Sequence, residues 1–173
     1  MFHRFIILFA LPLLIGGCAG QDASDLLAQA TTLRESGKGS EALPLYEQIT
    51  RDYAESPQAP EAMYHCAVLY FKEQMDPIKA ATTYELVAEK FPQTEWGHRG
   101  LFAAAYTYAN EIGNLERGRH AYEKYLAQYA DSSMAETVRF ELENLGKSAE
   151  ELLESIQQSQ AAESATAEEG GGQ

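Results

Sequence analysis

The sequence returns to similar residues at a constant interval of 38 positions. Tyr46, Tyr84 and Tyr122 occupy one position of this repeat. Two further positions follow the same interval in the sets Ala42, Ala80, Gly118 and Tyr53, Phe91, Tyr129. A fixed period between about 20 and 50 residues indicates supersecondary units that stack on one another. We therefore predict an array of similar units whose repeated small and aromatic side chains form the core.

Each unit has the pattern of two helices joined by a turn. Apolar residues recur three and four positions apart, as in the run Ala42, Leu45, Tyr46, Ile49 and Tyr53. This is the spacing of one face of an α-helix. Between the two helices of each unit, the segments 36–39, 75–77 and 112–114 contain glycine, proline, aspartate or asparagine, which are typical of turns. The pattern predicts an all-α fold.

The second helix of each unit resembles that of tetratricopeptide repeats. In that family an aromatic residue follows a small residue after four positions, and a proline follows eight later; Ala80, Tyr84 and Pro92 match. The resemblance covers about residues 23–147 and implies a solenoid of about three and a half helical hairpins that binds protein partners.

The repeat interval in this chain is longer than the usual period of about 34 residues, because the linkers after the second helices are long. This form is similar to the repeats of two envelope protein families. They are the lipoprotein subunit of the outer-membrane barrel-assembly machinery and the Tol-Pal-associated periplasmic protein.

The array is predicted to stop within a fourth unit. Phe140 occupies the aromatic position of a first helix, one repeat after Phe102, but Gln160 stands where the second helix would carry its aromatic residue. Gly146 is expected to end the first helix of this unit. The predicted repeat domain therefore spans residues 25–147.

A short capping helix is predicted over residues 148–158. Ser148 and Glu151 form a capping-box pattern at its start. Its apolar residues, which are expected to cover the last face of the array, are Leu152, Leu153 and Ile156. The remaining segment, residues 159–173, is polar and rich in glycine at its end, and it is predicted to be a disordered tail.

The N-terminal residues have the layout of a bacterial export signal. Arg4 provides a basic start, an apolar run follows, and small residues precede Cys18. The run Leu-Ile-Gly-Gly-Cys ending at Cys18 resembles the lipobox, whose cysteine receives diacylglycerol before the signal is cleaved. We predict a cleaved signal peptide over residues 1–17, lipid attachment with palmitate at Cys18, and a flexible tether over residues 18–24. An ordinary secretory signal with a chance cysteine is the alternative.

The residues around the lipobox also predict where the chain resides. The apolar stretch up to Ala19 contains Pro12 and is shorter than the roughly 20 residues that a helix needs to cross the hydrocarbon. A retained membrane helix is therefore disfavoured, and two or three acyl chains would provide a stable anchor. Ala19 in place of aspartate resembles lipoproteins that are sorted to the periplasmic face of the outer membrane.

The charge and the reactive residues exclude several function classes. The net charge of −13 repels phosphate backbones, so nucleic acid is not expected as a partner. Cys66 would have no cysteine to pair with once Cys18 is lipidated, and it is interpreted as a small buried hydrophobe rather than a reactive thiol. The four histidines lack metal-ligand spacing, and no phosphate loop or nucleophile elbow is present. No catalytic residue, metal or cofactor is predicted, and the chain is not expected to be an enzyme.

The family resemblance places the partner groove on the first helices of the units. The groove residues that it implies are Arg34, His65, Leu69, Lys72, Glu73, Thr107, Asn110 and Glu111, together with Leu27, Thr31 and Ala103. A peptide or a helix is the expected occupant. The alternative is that these side chains simply face water.

The sequence is compatible with two functions. The first is a membrane-anchored scaffold or adaptor that binds protein partners in envelope assembly or maintenance. The second is a lipoprotein that binds the cell wall or an exported polysaccharide.

Overall fold

The computed structural model describes residues 22–170. The predicted signal peptide and the predicted lipid-attachment residue Cys18 lie outside these residues, and so does most of the predicted tether over residues 18–24.

In the described part the chain forms eight α-helices and no strand. They are α1 (Ala23–Glu35), α2 (Gly39–Asp52), α3 (Ala59–Lys72), α4 (Pro77–Lys90), α5 (Glu95–Tyr106), α6 (Leu115–Gln128), α7 (Ala135–Glu143) and α8 (Ala149–Gly170). A π-helical turn, Thr107–Glu111, continues α5. Consecutive helices pack as hairpins, α1 with α2, α3 with α4 and α5 with α6, and each hairpin packs on the next. The predicted all-α solenoid of tetratricopeptide-like hairpins is confirmed.

The three hairpin turns share one backbone conformation. Gly37, Met75 and Gly113 occupy the same position of the repeat and have φ angles of 75°, 53° and 74°. Glycine is the usual residue in this left-handed region, because a Cβ atom there approaches the following carbonyl oxygen. After two of these turns an Asx side chain caps the next helix. Asp76 accepts from the amide of Lys79 at 2.8 Å, and Asn114 accepts from that of Arg117 at 3.0 Å.

The small and aromatic positions of the repeat form the core, as predicted. Ala42, Ala80, Tyr46 and Tyr122 are fully buried, and Tyr84 is 7% exposed. At the equivalent small position a Cβ added to Gly118 would lie 2.9 Å from the Cβ of Ala109, so only a very small residue allows α6 this close to the preceding helix.

A polar contact joins consecutive hairpins at the same repeat position. The hydroxyl of Tyr70 donates to Glu47 at 2.9 Å, and the Lys79 ammonium lies 3.7 Å from the centre of the Tyr70 ring. One repeat later the residues of this contact are Glu85, Tyr108 and Arg117, with a donor–acceptor distance of 2.9 Å and a guanidinium-to-ring distance of 4.1 Å. We call each set a seam triad. Each one ties the second helix of one hairpin to both helices of the next.

The last hairpin departs from the repeat. Gly146 ends α7 with a φ of 84°, as predicted, but the repeat interval would place this turn at position 151. The capping box is confirmed, because the Ser148 amide donates to the Glu151 carboxylate at 2.7 Å and the Glu151 amide donates to Ser148 Oγ at 3.2 Å. The covering of the last face is incomplete, since Phe140 stays 47% exposed and Leu153 57% exposed.

Helix α8 is also longer than expected. It continues to Gly170, beyond the predicted capping helix over 148–158 and into the predicted disordered tail over 159–173, whose last three residues lie outside the described residues. The predicted core did not include this segment because its residues are polar. Alanine, glutamate and glutamine are nevertheless among the best helix formers. A helix that begins at a satisfied cap can therefore continue through them without burying a face.

Candidate protein-binding face

The first helices α1, α3 and α5 carry the residues that the sequence assigned to a partner groove. We call their exposed side the first-helix face. At the ends of α3 and α5 the exposed groove residues are Lys72, Glu73, Asn110 and Glu111. Arg34 on α1 is 29% exposed at its side chain. These five residues are positioned where a partner can reach them.

Two of the predicted groove residues are largely buried. Leu69 is 2% exposed and belongs to the core of the first two hairpins. Thr107 is 6% exposed, and its hydroxyl donates to the carbonyl of Ala103 at 2.7 Å within its own helix. Both residues therefore leave little side chain at the surface of the first-helix face.

The Tyr46 hydroxyl fixes the position of the groove residues on α1. Arg34 Nε donates to it at 3.3 Å, and Thr31 Oγ1 lies 3.2 Å from it. A terminal guanidinium nitrogen of Arg34 lies 3.3 Å from the Glu35 carboxylate. Arg34 is therefore held against the core at its Nε while its outer nitrogens remain at the surface.

His65 lies at the centre of an aromatic cluster. Its side chain is 12% exposed, and its ring centre lies 5.3 Å from those of Tyr46 and Trp96 and 5.6 Å from that of Tyr64. Burial, together with the nearby positive charges of Arg34 and Arg99, lowers the pKa of His65 to about 4. The buried Nδ1 has no hydrogen-bond partner among the described residues. His65 is thus a neutral ring near neutral pH. It lies mostly beneath the first-helix face and offers little surface to a partner.

Trp96 and Arg99 belong to this face, although the sequence analysis did not assign them to it. The Arg99 guanidinium lies 5.2 Å from the centre of the Trp96 ring and pairs with Glu95 at 2.8 Å. The positions one repeat away from Trp96 hold Gln58 and Met134, so the core of the array does not require an aromatic residue here. This departure from the repeat was the signal that could have identified Trp96.

A cavity of about 180 Å³ opens at the far end of the same face. It is lined by Phe71, Tyr84, Ala103, Tyr106, Thr107 and Glu111. Tyr106 is 42% exposed at this point. An exposed aromatic ring beside a small cavity and a carboxylate can accept a partner's apolar side chain and a neighbouring donor.

Cys66 is buried, as interpreted from the sequence, and burial raises the pKa of its thiol to about 12. Between residues 22 and 170 no three His, Cys, Asp or Glu side chains are grouped so that they could hold a metal ion. Over the same residues, none of the helices combines the length and the apolar character that a membrane span requires.

Comparison with known protein families agrees with this architecture. The family model of the tetratricopeptide repeat matches residues 61–94 and 99–132. These ranges cover most of α3 and all of α4, and most of α5 and all of α6. A search of curated proteins finds no significant match to the chain. The two matched hairpins are therefore similar to tetratricopeptide repeats, units that suggest a scaffold for protein–protein interaction.

Proposed function

We propose that this protein is a lipid-anchored scaffold of the bacterial cell envelope. It is attached through Cys18 to the periplasmic face of the outer membrane, and it holds a protein partner on its first-helix face. It takes part in envelope assembly or maintenance and catalyses no reaction. Its partner is a peptide or a helix of another protein.

This proposal rests on side chains of the first-helix face that are not required for the packing of the array. Trp96, Tyr106 and Arg34 remain at least partly accessible, while the repeated aromatic residues of the second helices are buried. Aromatic and arginine side chains are enriched among residues that dominate protein interfaces. The lipobox-like run at Cys18 and the following Ala19 support the location.

The anchor is tested with Cys18→Ala in the native cell. Without the sulfur that carries diacylglycerol, the protein is expected to lose fatty-acid labelling and to leave the outer-membrane fraction. Cys66→Ala is the matched control, because it removes a buried thiol and should leave both readouts unchanged. Fatty-acid labelling that persists in Cys18→Ala would reject the anchor.

The binding face is tested by site-specific photo-crosslinking in the same cells. A photoreactive residue at Lys72 or Asn110 is expected to give a discrete crosslinked protein. The same residue at Glu89, which is exposed on the second helix α4, serves as the control. Equal crosslinking from Glu89 would show that the first-helix face is not the binding surface.

Binding to isolated cell-wall sacculi separates this proposal from polymer binding. The scaffold is expected to remain in solution when it is mixed with purified sacculi. If the sacculi retained the native protein but not Trp96→Ala, the ligand of the first-helix face would be cell-wall polymer and not a protein.

A further inference from the structure

In the first hairpin, side chains of neighbouring helices cover the tyrosine of the second helix. The Tyr46 hydroxyl accepts a hydrogen bond from Arg34 Nε at 3.3 Å, and Thr31 Oγ1 lies 3.2 Å from it. The ring of His65, which belongs to the next hairpin, has its centre 5.3 Å from that of Tyr46. A guanidinium group, a hydroxyl group and an aromatic ring therefore occupy the space over Tyr46.

The corresponding space over Tyr84 in the second hairpin is open. One repeat later, the residues that replace the three neighbours of Tyr46 are Leu69, Lys72 and Ala103. Lys72 is exposed, and Ala103 is too small to fill the space of a ring. The cavity of about 180 Å³ on the first-helix face lies here, with Tyr84 and Ala103 in its lining. Within residues 22–170, no side chain is hydrogen-bonded to the Tyr84 hydroxyl.

The two hairpins can be compared position by position because their turns are in register. Gly37 and Met75 stand one repeat apart and both have a left-handed φ. The amides of Ala42 and Ala80, also one repeat apart, each donate to the carbonyl four positions earlier at 3.0 Å. The open space over Tyr84 is therefore a difference in side chains and not a shift of the helices.

The wall of the cavity carries an aromatic ring and a carboxylate. Tyr106 is 42% exposed. Glu111 is exposed, and it forms no ion pair with another described residue. It belongs to the π-helical turn that continues α5, and such turns are frequent at functional sites. With Tyr84, the cavity thus offers a hydroxyl group, a free carboxylate and an accessible ring.

We propose that this cavity binds an arginine side chain of the partner protein. The guanidinium group donates to the Tyr84 hydroxyl and to the Glu111 carboxylate, and it lies beside the Tyr106 ring. The methylene groups of the arginine pack on Phe71, which also lines the cavity. Arginine fits better than lysine because its planar guanidinium has five N–H donors and stacks on aromatic rings. A cavity of about 150 Å³ already holds a benzene ring, so the space is sufficient for this group.

The chain already uses this combination of groups elsewhere. In the second seam triad, Arg117 lies 2.9 Å from the Glu85 carboxylate, and its guanidinium lies 4.1 Å from the centre of the Tyr108 ring. The cavity presents the tyrosine and the glutamate of such a set without the arginine. The net charge of −13 also favours a basic segment as the partner.

The site is tested with the purified full chain and a short alanine-based peptide that carries one central arginine. Binding is followed by two-dimensional amide NMR spectra. We expect saturable shifts of the amide signals of Thr107 and Glu111. A peptide with citrulline, which has the shape of arginine without its charge, should bind at least fivefold more weakly. A peptide with lysine should also bind more weakly, because an ammonium group cannot stack on the ring.

Two variants remove one group each from the cavity. Glu111→Gln is expected to weaken binding of the arginine peptide at least fivefold, and Tyr84→Phe at least twofold. Tyr84→Phe should keep the native melting temperature, because its hydroxyl has no partner in the described chain. Glu73→Gln is the matched control. Glu73 is exposed one repeat before Glu111 and does not line the cavity, so this variant should bind the peptide as the native chain does.

A third variant closes the cavity from within. Ala103→His introduces the residue that stands over Tyr46 at the same repeat position. We expect at least fivefold weaker binding of the arginine peptide. Far-ultraviolet circular dichroism checks that the variant stays folded.

Three results would overturn the proposal. They are the absence of shifts with the arginine peptide, equal binding of the citrulline or lysine peptide, and an equal loss of binding in Glu111→Gln and Glu73→Gln. This inference rests on the proposed function, because it names the chemistry that the first-helix face recognises. The two fail separately. Crosslinking from Lys72 or Asn110 in cells without peptide binding would reject only the arginine site, whereas equal crosslinking from Glu89 would reject the face itself.

Discussion

Met75 has the left-handed backbone conformation that glycine adopts at the two equivalent positions, Gly37 and Gly113. Its φ of 53° lies in the left-handed region, which costs a residue with a Cβ roughly 1–2 kcal/mol. The side chain is 79% exposed, so little apolar burial offsets this cost. The second hairpin turn is therefore a point of local strain in an otherwise regular array.

Met75→Gly is expected to stabilise the protein. The relief of the left-handed strain, less the greater flexibility of glycine in the unfolded chain, leaves about 0.5–1 kcal/mol. The measurement is the free energy of unfolding in urea. Gly113→Ala is the matched opposite change, since a Cβ there would meet nothing within 4 Å and only the backbone conformation is penalised. A destabilising Met75→Gly would contradict the assignment of strain to this residue.

His65 makes the stability of the first two hairpins depend on pH. Its pKa is about 4 in the folded protein and 6.5 in the unfolded chain. The unfolded state therefore binds a proton first as the pH falls. The stability that the neutral ring supports is fully present above pH 6.5, is lost between 6.5 and 4, and changes no further below that range.

His65→Gln tests this dependence. Between pH 7 and pH 5 the native protein is expected to lose about 1–2 kcal/mol more than this variant, because the variant has no proton to bind at this position. The measurement is the free energy of unfolding by urea at both pH values. Parallel pH profiles for the two proteins would show that the buried ring is not the cause.

At the scale of elements, the seam triads explain how neighbouring hairpins keep their register. Each triad joins three helices through one tyrosine that donates to a carboxylate and lies beside a cation. Burial and the hydrogen bond to Glu85 raise the pKa of Tyr108 above its usual value, which keeps the hydroxyl protonated as a donor. The series ends at the last hairpin, where Gly146 replaces the tyrosine and Glu123 has no equivalent donor.

Removal of the donor in one triad is expected to weaken the array modestly. Tyr108→Phe should cost about 1 kcal/mol, since Glu85 is partly exposed and water can replace part of the lost hydrogen bond. Glu85→Gln and the double variant complete a thermodynamic cycle, from which the coupling between the two side chains is measured. Glu123→Gln is the control at the same repeat position and should have no effect. A coupling energy of zero would show that the seam triad does not help to hold neighbouring hairpins in register.

At the scale of the whole molecule, the side chains that stabilise the fold and those that form the binding surface lie in different places. The buried side chains form two clusters. One spans the first two hairpins and reaches Ala104 and Tyr108, and the other runs from Ala88 of α4 to α7. The described side chains of α8, within residues 149–160, lie outside both clusters, and Ile156 is 39% exposed. This first part of α8 thus contributes little to the packed array.

A chain that ends at residue 147 is expected to keep its fold. Because the described side chains of α8 bury little apolar surface, the melting temperature should fall by only a few degrees, which corresponds to about 1 kcal/mol. A chain that ends at residue 134 lacks α7 as well, and it should lose much more because buried Val138 is removed. Thermal unfolding followed by circular dichroism compares the two. A large loss in the first chain would mean that α8 completes the core.

The sequence alone determined the repeat architecture. A single repeat interval located the helices, the turns, the core tyrosines and the end of the array, and the capping box at Ser148 was recognised without any coordinates. These features depend on contacts between residues close in sequence or at equivalent places in successive units, and such contacts leave a periodic pattern.

Only the tertiary structure decided which side chains of the first helices are accessible. Leu69 and Thr107 have the helical phase of groove residues, but both are buried in the folded chain. Trp96 joins the face from a helix start that no repeat position predicts. The distance between neighbouring helices arises from all the side chains packed between them, and no single position in the sequence records it.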